Sequence, residues 1–278
     1  MDPLATNLRN ADEAELSSED VTRYARQLVL PCFGVEAQKR LKSSSVLIIG
    51  AGGLGCPAAM YLAGSGIGRL GILDRGDTVE RSNLHRQIAH REQSVGIDKA
   101  ESLKTAVLAL NPTIQVDAMS CGLRAHNAEE IVSHYDVVLD CSDNVITRYI
   151  INDACVMMNK PLVSGSAIGL EGQLTVYFMS KTANVPCYRC IFPVATPKSC
   201  VGSCDSAGVL GPVPGLIGTL QAMEALKLVS QFHGSQVLAQ RMLLYDSAEC
   251  AFRVIKLRPR NKSCLVCSVW NHTNAETR

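Results

Sequence analysis

The chain has 278 residues, 47% of them hydrophobic and 19% charged, and its 27 Lys and Arg nearly balance 26 Asp and Glu for a formal net charge of +1. That size suits one large domain, or one domain with a small appendage, and the charge balance gives no global positive field, which excludes direct nucleic-acid binding as the main task. The apolar runs, such as residues 46–49, stop far short of the roughly 20 residues of a membrane helix, and the polar, acidic start has no apolar signal core, so a soluble, cytoplasmic protein is expected.

After a flexible segment over 1–19, Ser17, Ser18, Glu19 and Asp20 offer helix caps, and Val21, Tyr24, Ala25 and Leu28 recur at helical spacing up to Pro31. The helix they predict carries Arg23 and Arg26. A second short helix over 35–41 leads through three serines into Val46, Leu47, Ile48 and Ile49, an unbroken apolar run of the kind a strand buried on both faces needs. Helices around 57–63 and over 99–110, 128–134 and 147–158 then alternate with strands over 70–74, 114–118, 137–140 and 161–164. Alternation of this kind predicts a Rossmann-like, doubly wound α/β sheet.

Past residue 165 the pattern changes. Strands are expected over 173–178 and 242–245, and residues 252–257 alternate apolar with basic as an antiparallel, half-exposed strand does. The second half is therefore read as α+β, continuous with the same core. Between those strands a Pro-, Gly-, Ser- and Cys-rich stretch over 180–214 reads as a loop long enough to be functional or mobile. A helix over 216–229 closes it, with Leu216, Leu220, Met223, Leu226 and Leu228 on or near one face.

Gly50-Ala51-Gly52-Gly53-Leu54-Gly55 follows a predicted strand and opens a predicted helix, and Asp74 ends the next strand. Glycines there allow a tight turn and close backbone approach, the helix N-terminus presents N–H groups to phosphate, and the acidic residue takes ribose hydroxyls. The turn fits NAD or ATP. Just past the second strand stand Ser82, Asn83, Leu84, His85, Arg86 and Gln87, and Lys99 opens the helix over 99–110; two cations beside a phosphate turn suit a triphosphate better than a dinucleotide. Asp143 and Asn144 follow the fourth strand, at the sheet edge where ligands bind. Asp143 is placed to hold Mg²⁺ against phosphate oxygens or to cap the following helix, and the two roles can be divided between Asp143 and Asn144.

Cys187 and Cys190, with Cys264 and Cys267, form two CxxC pairs. Four thiolates make a closed tetrahedral zinc site, provided the C-terminal end folds back onto the central loop; redox disulfides are the rival reading. Cys56, Cys121, Cys141, Cys155 and Cys250 fall in or beside regular elements and read as small buried hydrophobes, whereas Cys200 and Cys204 lie in the long loop near Lys198. None of the histidine pairs has ligand spacing, and the six histidines read as structural or surface residues.

Taken in order, Arg23-Tyr24-x-Arg26-Gln27, the glycine turn, Asp74, the 82–87 motif, Lys99, residues 140–144, the two cysteine pairs and Gly208-Val209-Leu210-Gly211 resemble one family. It is that of the ubiquitin-activating-like adenylyltransferases of the MoeB and ThiF type, and within it the adenylyltransferase domain of eukaryotic molybdopterin synthase sulfurylases. The resemblance implies a homodimer that binds ATP and Mg²⁺ and adenylates the C-terminal glycine of a ubiquitin-fold sulfur carrier. It implies a domain over 20–270, with an ATP-binding half about 43–165, a carrier-binding and zinc half about 166–270, and a tail over 271–278. The nucleotide contacts it implies are Gly50, Gly52, Gly53, Gly55, Asp74, Ser82, Asn83, Leu84, His85, Arg86, Lys99, Asp143 and Asn144. Arg26 would reach the phosphates bound by the partner subunit. Cys204 would match the loop cysteine that takes the activated carrier or sulfur, with Cys200 as its competitor.

A C-terminal carboxylate, with an ordinary pKa of about 3.3–3.7, is ionised at pH 7 and attacks phosphorus without a general base. What the step requires is in-line placement and relief of charge on the leaving pyrophosphate, tasks suited to Arg26, Arg86, Lys99 and an Mg²⁺ on Asp143. The acyl-adenylate then becomes a thiocarboxylate for molybdopterin assembly, with tRNA thiolation a further use. The chain ends at Arg278 without room for a rhodanese domain, so either a sulfur donor or rhodanese protein acts in trans or the chain is a truncated form.

Overall fold

The computed structural model describes residues 15–195 and 208–271. Most of the segment expected to be flexible, the loop residues Lys198, Cys200 and Cys204, and the tail from residue 272 lie outside the described residues. Ser17 caps the first helix, its Oγ accepting from the Asp20 N–H at 3.1 Å, so regular structure begins at Ser18 rather than Asp20.

One eight-stranded sheet forms the centre, in the order β3-β2-β1-β4-β5-β6-β7-β8. Strands β1 (Ser45–Ile49), β2 (Arg69–Asp74), β3 (Gln115–Ser120), β4 (Val137–Asp140) and β5 (Leu162–Ile168) run parallel. The next three, β6 (Glu171–Tyr177), β7 (Arg241–Asp246) and β8 (Ala251–Lys256), add antiparallel. The expected α/β half and α+β half are thus one continuous sheet. Strand β1 is buried along its length; Val46 and Ile48 join the apolar cluster on one face, Leu47 and Ile49 that on the other. Each such side chain stabilises the fold by about 1.5–3 kcal/mol.

Helices α3 (Gly34–Ser43), α4 (Gly55–Ser65), α5 (Lys99–Leu110) and α9 (Pro212–Ser230) cover the first face. The second is covered by α6 (Ala125–Ser133) and α7 (Val145–Met157), with the single turn α8 (Tyr188–Ile191) beside them. The N-terminal helix expected to be continuous is two, α1 (Ser18–Arg23) and α2 (Ala25–Leu28), divided at Tyr24. Tyr24 leaves helical geometry because its ring is buried against Gly66, where a Cβ would lie 2.4 Å away, and its hydroxyl accepts from Asn111 Nδ2 at 2.9 Å. No helix among the described residues is long and apolar enough to cross a membrane.

Three expectations are corrected. Helix α9 starts at Pro212, inside the stretch read as loop, and its buried face carries Ile217, Gly218, Gln221, Ala222 and Ala225 along with Leu228 of the expected set, while Met223 is 46% exposed. Backbone proximity explains the choice of small residues: a Cβ on Gly218 would sit 2.1 Å from the Leu54 carbonyl oxygen. Cys121 and Cys250 are exposed, because they lie beyond the ends of β3 and β7 rather than in the packed layers; Cys56, Cys141 and Cys155 are buried as expected. Strand β8 is more open than half-exposed, with Phe252, Val254 and Ile255 all exposed, since it is the sheet's edge and no described element covers it.

Close packing of α9 gives a paired test. Replacing Gly218 with Ala is expected to destabilise the chain by about 1–3 kcal/mol, the cost of overpacking a tight contact. Gly215→Ala, in the same helix with no atom within 4 Å of an added Cβ, is expected to leave stability unchanged or raise it by up to about 1 kcal/mol. Urea denaturation of the two variants beside the parent protein checks both.

Candidate functional site

Between β1 and β4 the chain direction of winding reverses, and the loops that leave these strands diverge. At such a switch point an open α/β sheet has its binding crevice. A cleft of about 270 Å³ opens there, and it brings together Gly50, Gly52, Gly53, Asp74, Arg86, Lys99, Asp143 and Asn144.

The glycines divide the work. Gly50 has φ +107°, and a Cβ on it would lie 2.6 Å from the Cys141 carbonyl oxygen; Gly55, which does not line the cleft, would place a Cβ 1.9 Å from the Gly50 oxygen. Both are demanded by shape. Gly52 and Gly53 face the cleft, and their N–H groups, with that of Leu54, donate to no described residue. Since α4 has no side-chain cap at Leu54, this row of donors is left for a ligand.

Asp74 is 8% exposed, and its Oδ2 accepts from the Ala51 N–H at 2.9 Å. Burial pushes its carboxyl above the usual carboxylate range. Its Oδ1 is buried without a hydrogen-bond partner. Gln87, also lining the cleft at 5% exposure, has an Oε1 in the same condition. Two buried acceptors without protein donors are costly, and a ligand with hydroxyl or amine groups would satisfy them.

Arg86 is held by its own neighbours. Its Nη2 donates to Asn83 Oδ1 at 3.0 Å, and its Nη1 donates to the Ser82 carbonyl at 3.2 Å and to His85 Nε2 at 2.8 Å. Ser82, Asn83, Leu84 and His85 do not themselves line the cleft. The structure places the first two and His85 around the guanidinium, as its support. Lys99 is fixed by the start of α5, where Asp98 caps the helix by accepting from the Ala100 and Glu101 N–H groups at 2.9 and 3.2 Å. Its Nζ lies 3.6 Å from Asp77 Oδ2, and the same oxygen accepts from Arg75 Nε at 2.8 Å.

Opposite the glycine turn, Asp140 organises the loop after β4. Its Oδ1 accepts from Ser142 N–H at 3.1 Å and Ser142 Oγ at 2.6 Å, and its Oδ2 from Ser164 Oγ at 2.9 Å. Asn144 is the cap of α7, with Oδ1 accepting from the Ile146 and Thr147 N–H groups at 2.8 and 3.2 Å. That leaves the exposed Asp143 carboxylate on the cleft without capping duty.

Arg26 is exposed on α2 and does not line this cleft, and Cys204 and Cys200 lie outside the described residues. Arg75, Asp77, Gln87, Arg124, Thr147 and Pro214 line it although they were not among the expected site residues. Gln87 carried a signal, as a polar neighbour of Arg86 in the same motif. Pro214 carried none: it arrives because α9 packs against the turn, with a Cβ on Gly53 reaching Pro214 at 3.2 Å.

Away from the cleft, Cys187, Cys190, Cys264 and Cys267 form one buried cluster whose four Sγ atoms all lie within 4.8 Å of one another. Their nearest separations are 3.6 Å for Cys187 to Cys264 and 3.4 Å for Cys190 to Cys267, each pairing one CxxC with the other. The C-terminal segment does fold back. Arg260 secures it, its Nη2 and Nη1 donating to the Ser180 and Lys181 carbonyls at 2.7 and 2.9 Å. Four converging sulfurs could hold a metal ion.

Comparison with known proteins agrees with this architecture. Proteins named adenylyltransferase and sulfurtransferase MOCS3 from Drosophila sechellia and Drosophila ananassae are each 54% identical, over 258 and 254 residues. These matches cover 93% and 91% of this chain but 56% and 55% of the relatives, so the chain spans about half the length of the curated relatives it matches. Crystal structures of Escherichia coli MccB, alone and with ATP, superpose with TM-scores of 0.77 and 0.73 at 22% and 24% identity. They cover 92% and 88% of this chain and 74% of theirs, a likeness of fold. The family model for ThiF matches residues 24–266, nearly the whole described chain, and the chain belongs to the ThiF family.

Proposed function

We propose that the chain adenylates the C-terminal glycine of a ubiquitin-fold sulfur carrier ending in Gly-Gly, using ATP and Mg²⁺. The single observation that carries this reading is the composition of the cleft. Buried Asp74 Oδ1 and Gln87 Oε1 await donors, the N–H row at Gly52, Gly53 and Leu54 awaits acceptors, and Arg86, Lys99 and Asp143 share the same space.

In the reaction a carboxylate oxygen of the carrier attacks the α-phosphorus of ATP. A P–O bond forms, the bond to the bridging oxygen breaks, and its electron pair leaves with pyrophosphate. The carboxylate is already ionised at neutral pH, and no histidine lines the cleft among the described residues. In this reading Asp74 holds the ribose, Gly52 and Gly53 N–H groups the phosphates, and Arg86 and Lys99 offset charge that grows on pyrophosphate. Asp143 would hold Mg²⁺, which when bound neutralises phosphate oxygens. Arg26, exposed and apart from its own chain's cleft, would serve the cleft of a second copy in a homodimer.

The terminal sulfur of a persulfide on a donor or rhodanese protein acting in trans then attacks the acyl-adenylate carbonyl and AMP leaves; a thiol, with Cys204 or Cys200 as the loop candidate, attacks the resulting acyl disulfide at the donor sulfur, which releases the thiocarboxylate and leaves a disulfide with the donor. The thiocarboxylate serves molybdenum cofactor assembly in the cytoplasm, and tRNA thiolation is a second use. The names of the MOCS3 relatives support both the adenylyl and the sulfur steps of this sequence. The four-cysteine cluster is assigned to structural zinc. Zn–S bonds of about 2.3 Å in a tetrahedron put sulfurs about 3.8 Å apart, and Cys187 and Cys190 stand at 3.8 Å.

Two outcomes are expected. Purified chain, Mg²⁺, ATP and a Gly-Gly-ending carrier should catalyse ATP–pyrophosphate exchange, with Asp143→Ala reducing it by about 10²–10³-fold or more while the fold persists; exchange at the parent rate removes Asp143 from the mechanism. Titration of the thiols with a mercurial should release about one zinc ion per chain and lower the melting temperature. Finding no zinc and two Cys-Cys disulfides instead would restore the redox reading.

A further inference from the structure

His90 is 5% exposed, lies behind the glycine turn and does not line the cleft. Its Nε2 is 2.9 Å from the Ala51 carbonyl oxygen, and its Nδ1 is 2.9 Å from Ser102 Oγ. A carbonyl oxygen only accepts, so Nε2 carries the proton and donates; Nδ1 of the neutral ring then accepts from the Ser102 hydroxyl. Burial, with the nearby charge of Lys99, holds the imidazole below its usual range and favours this neutral form.

The consequence for the turn follows from peptide planarity. In a trans peptide the Ala51 carbonyl and the Gly52 N–H point in opposite directions. Drawing the carbonyl back to His90 therefore turns the Gly52 N–H forward, to the cleft that Gly52 lines, where it donates to no described residue. The preceding peptide is fixed too, by the Ala51 N–H donating to Asp74 Oδ2 at 2.9 Å. Glycine at 52 offers little resistance of its own to a flip of this peptide, and a flip would aim a carbonyl oxygen at the bound anion. Ser102 stands one turn past Lys99 on α5, so the same imidazole ties the helix of the cleft lysine to the turn.

We infer that His90 is a positioning residue for the nucleotide: its Nε2–H, oriented by Ser102, fixes the Ala51–Gly52 peptide so that the Gly52 N–H meets a ligand phosphate. This role rests on the nucleotide reading of the cleft. It is tested on the full chain by calorimetric titration with Mg·ATP and, in competition, with adenosine, which lacks phosphate. His90→Phe fills the same space without a donor and is expected to weaken Mg·ATP binding roughly tenfold, the net effect of one hydrogen bond, with adenosine affinity unchanged. His90→Gln, whose amide can reach the Ala51 oxygen, should restore Mg·ATP binding to within about threefold of the parent. Ser102→Ala should weaken it by about threefold, while the ¹⁵N spectrum of its His90 ring still shows the Nε2–H tautomer that the Ala51 carbonyl requires. Should His90→Phe fail to fold, the Gln and Ser102 variants decide. Parent-like Mg·ATP binding by His90→Phe and Ser102→Ala, equal loss of ATP and adenosine, or failure of Gln to rescue overturns the role. A parent protein that binds no ATP defeats the nucleotide reading itself, whereas ATP binding indifferent to these substitutions defeats only the inference about His90.

Discussion

The cleft takes its shape from the meeting of backbones at Gly50 and Cys141. The Gly50 N–H donates to the Leu73 carbonyl at 2.8 Å and the Cys141 N–H to the Ile49 carbonyl at 2.9 Å, so the sheet's ladders persist to the last residues of the strands. With a Cβ excluded at Gly50 by the Cys141 oxygen 2.6 Å away, the chains leave this point in contact and then part. One enters α4 and the other α7. The wedge between them is the cleft, and its width is set by a contact that only glycine permits.

Around the Asp140 carbonyl at the back of the wedge, polar groups are satisfied; inside it, some are not. Gln221 is fully buried on α9, with Nε2 donating to the Asp140 carbonyl at 2.8 Å. Its amide packs so closely on β5 that a Cβ on Gly165 would lie 2.6 Å from it. Asp140, Ser142 and Ser164 complete the network, and each bond left unmade there would cost about 1–3 kcal/mol. The loop bearing Asp143 is thereby rigid at its root. Asp74 Oδ1 and Gln87 Oε1 break the pattern, and both belong to cleft residues. Such a contrast between a satisfied frame and an unsatisfied opening is what a preorganised ligand site requires.

The parallel half of the fold was legible because its signals are local. Unbroken apolar runs and a glycine turn each state their element within a few residues, and β1, β4 and α5 fall where the strand–helix alternation put them. Helix α9 shows where such reading fails. Five large apolar residues were read on or near one face, but Met223 of that set is exposed, and the closest contact, with the Leu54 carbonyl, needs glycine at 218 because of a partner distant in sequence. The site divides in the same way. Gly52, Asp74, Arg86 and Lys99 were legible through spacing, whereas Arg75 and Asp77 reach the cleft through the turn after β2, which no periodicity describes. The cysteine pairs, 77 residues apart, were legible only because each CxxC is recognisable alone.

The charges of the cleft explain how a nearly neutral chain can handle a highly charged ligand. Asp77 accepts from Arg75 at 2.8 Å and stands 3.6 Å from Lys99, so one carboxylate faces two cations. The Arg75 side chain is 67% exposed, and a pair so open to solvent contributes only about 0–1 kcal/mol. Lys99, at 12% exposure and with a longer contact, is the less hydrated and less firmly paired of the two. On the proposed function, a polyphosphate entering the cleft would compete with Asp77 for that ammonium at low desolvation cost, and Asp77 would keep Arg75 as its partner. Cations would therefore be available to such a ligand without being left unbalanced before it arrives, which reconciles the proposed phosphate site with a formal net charge of only +1.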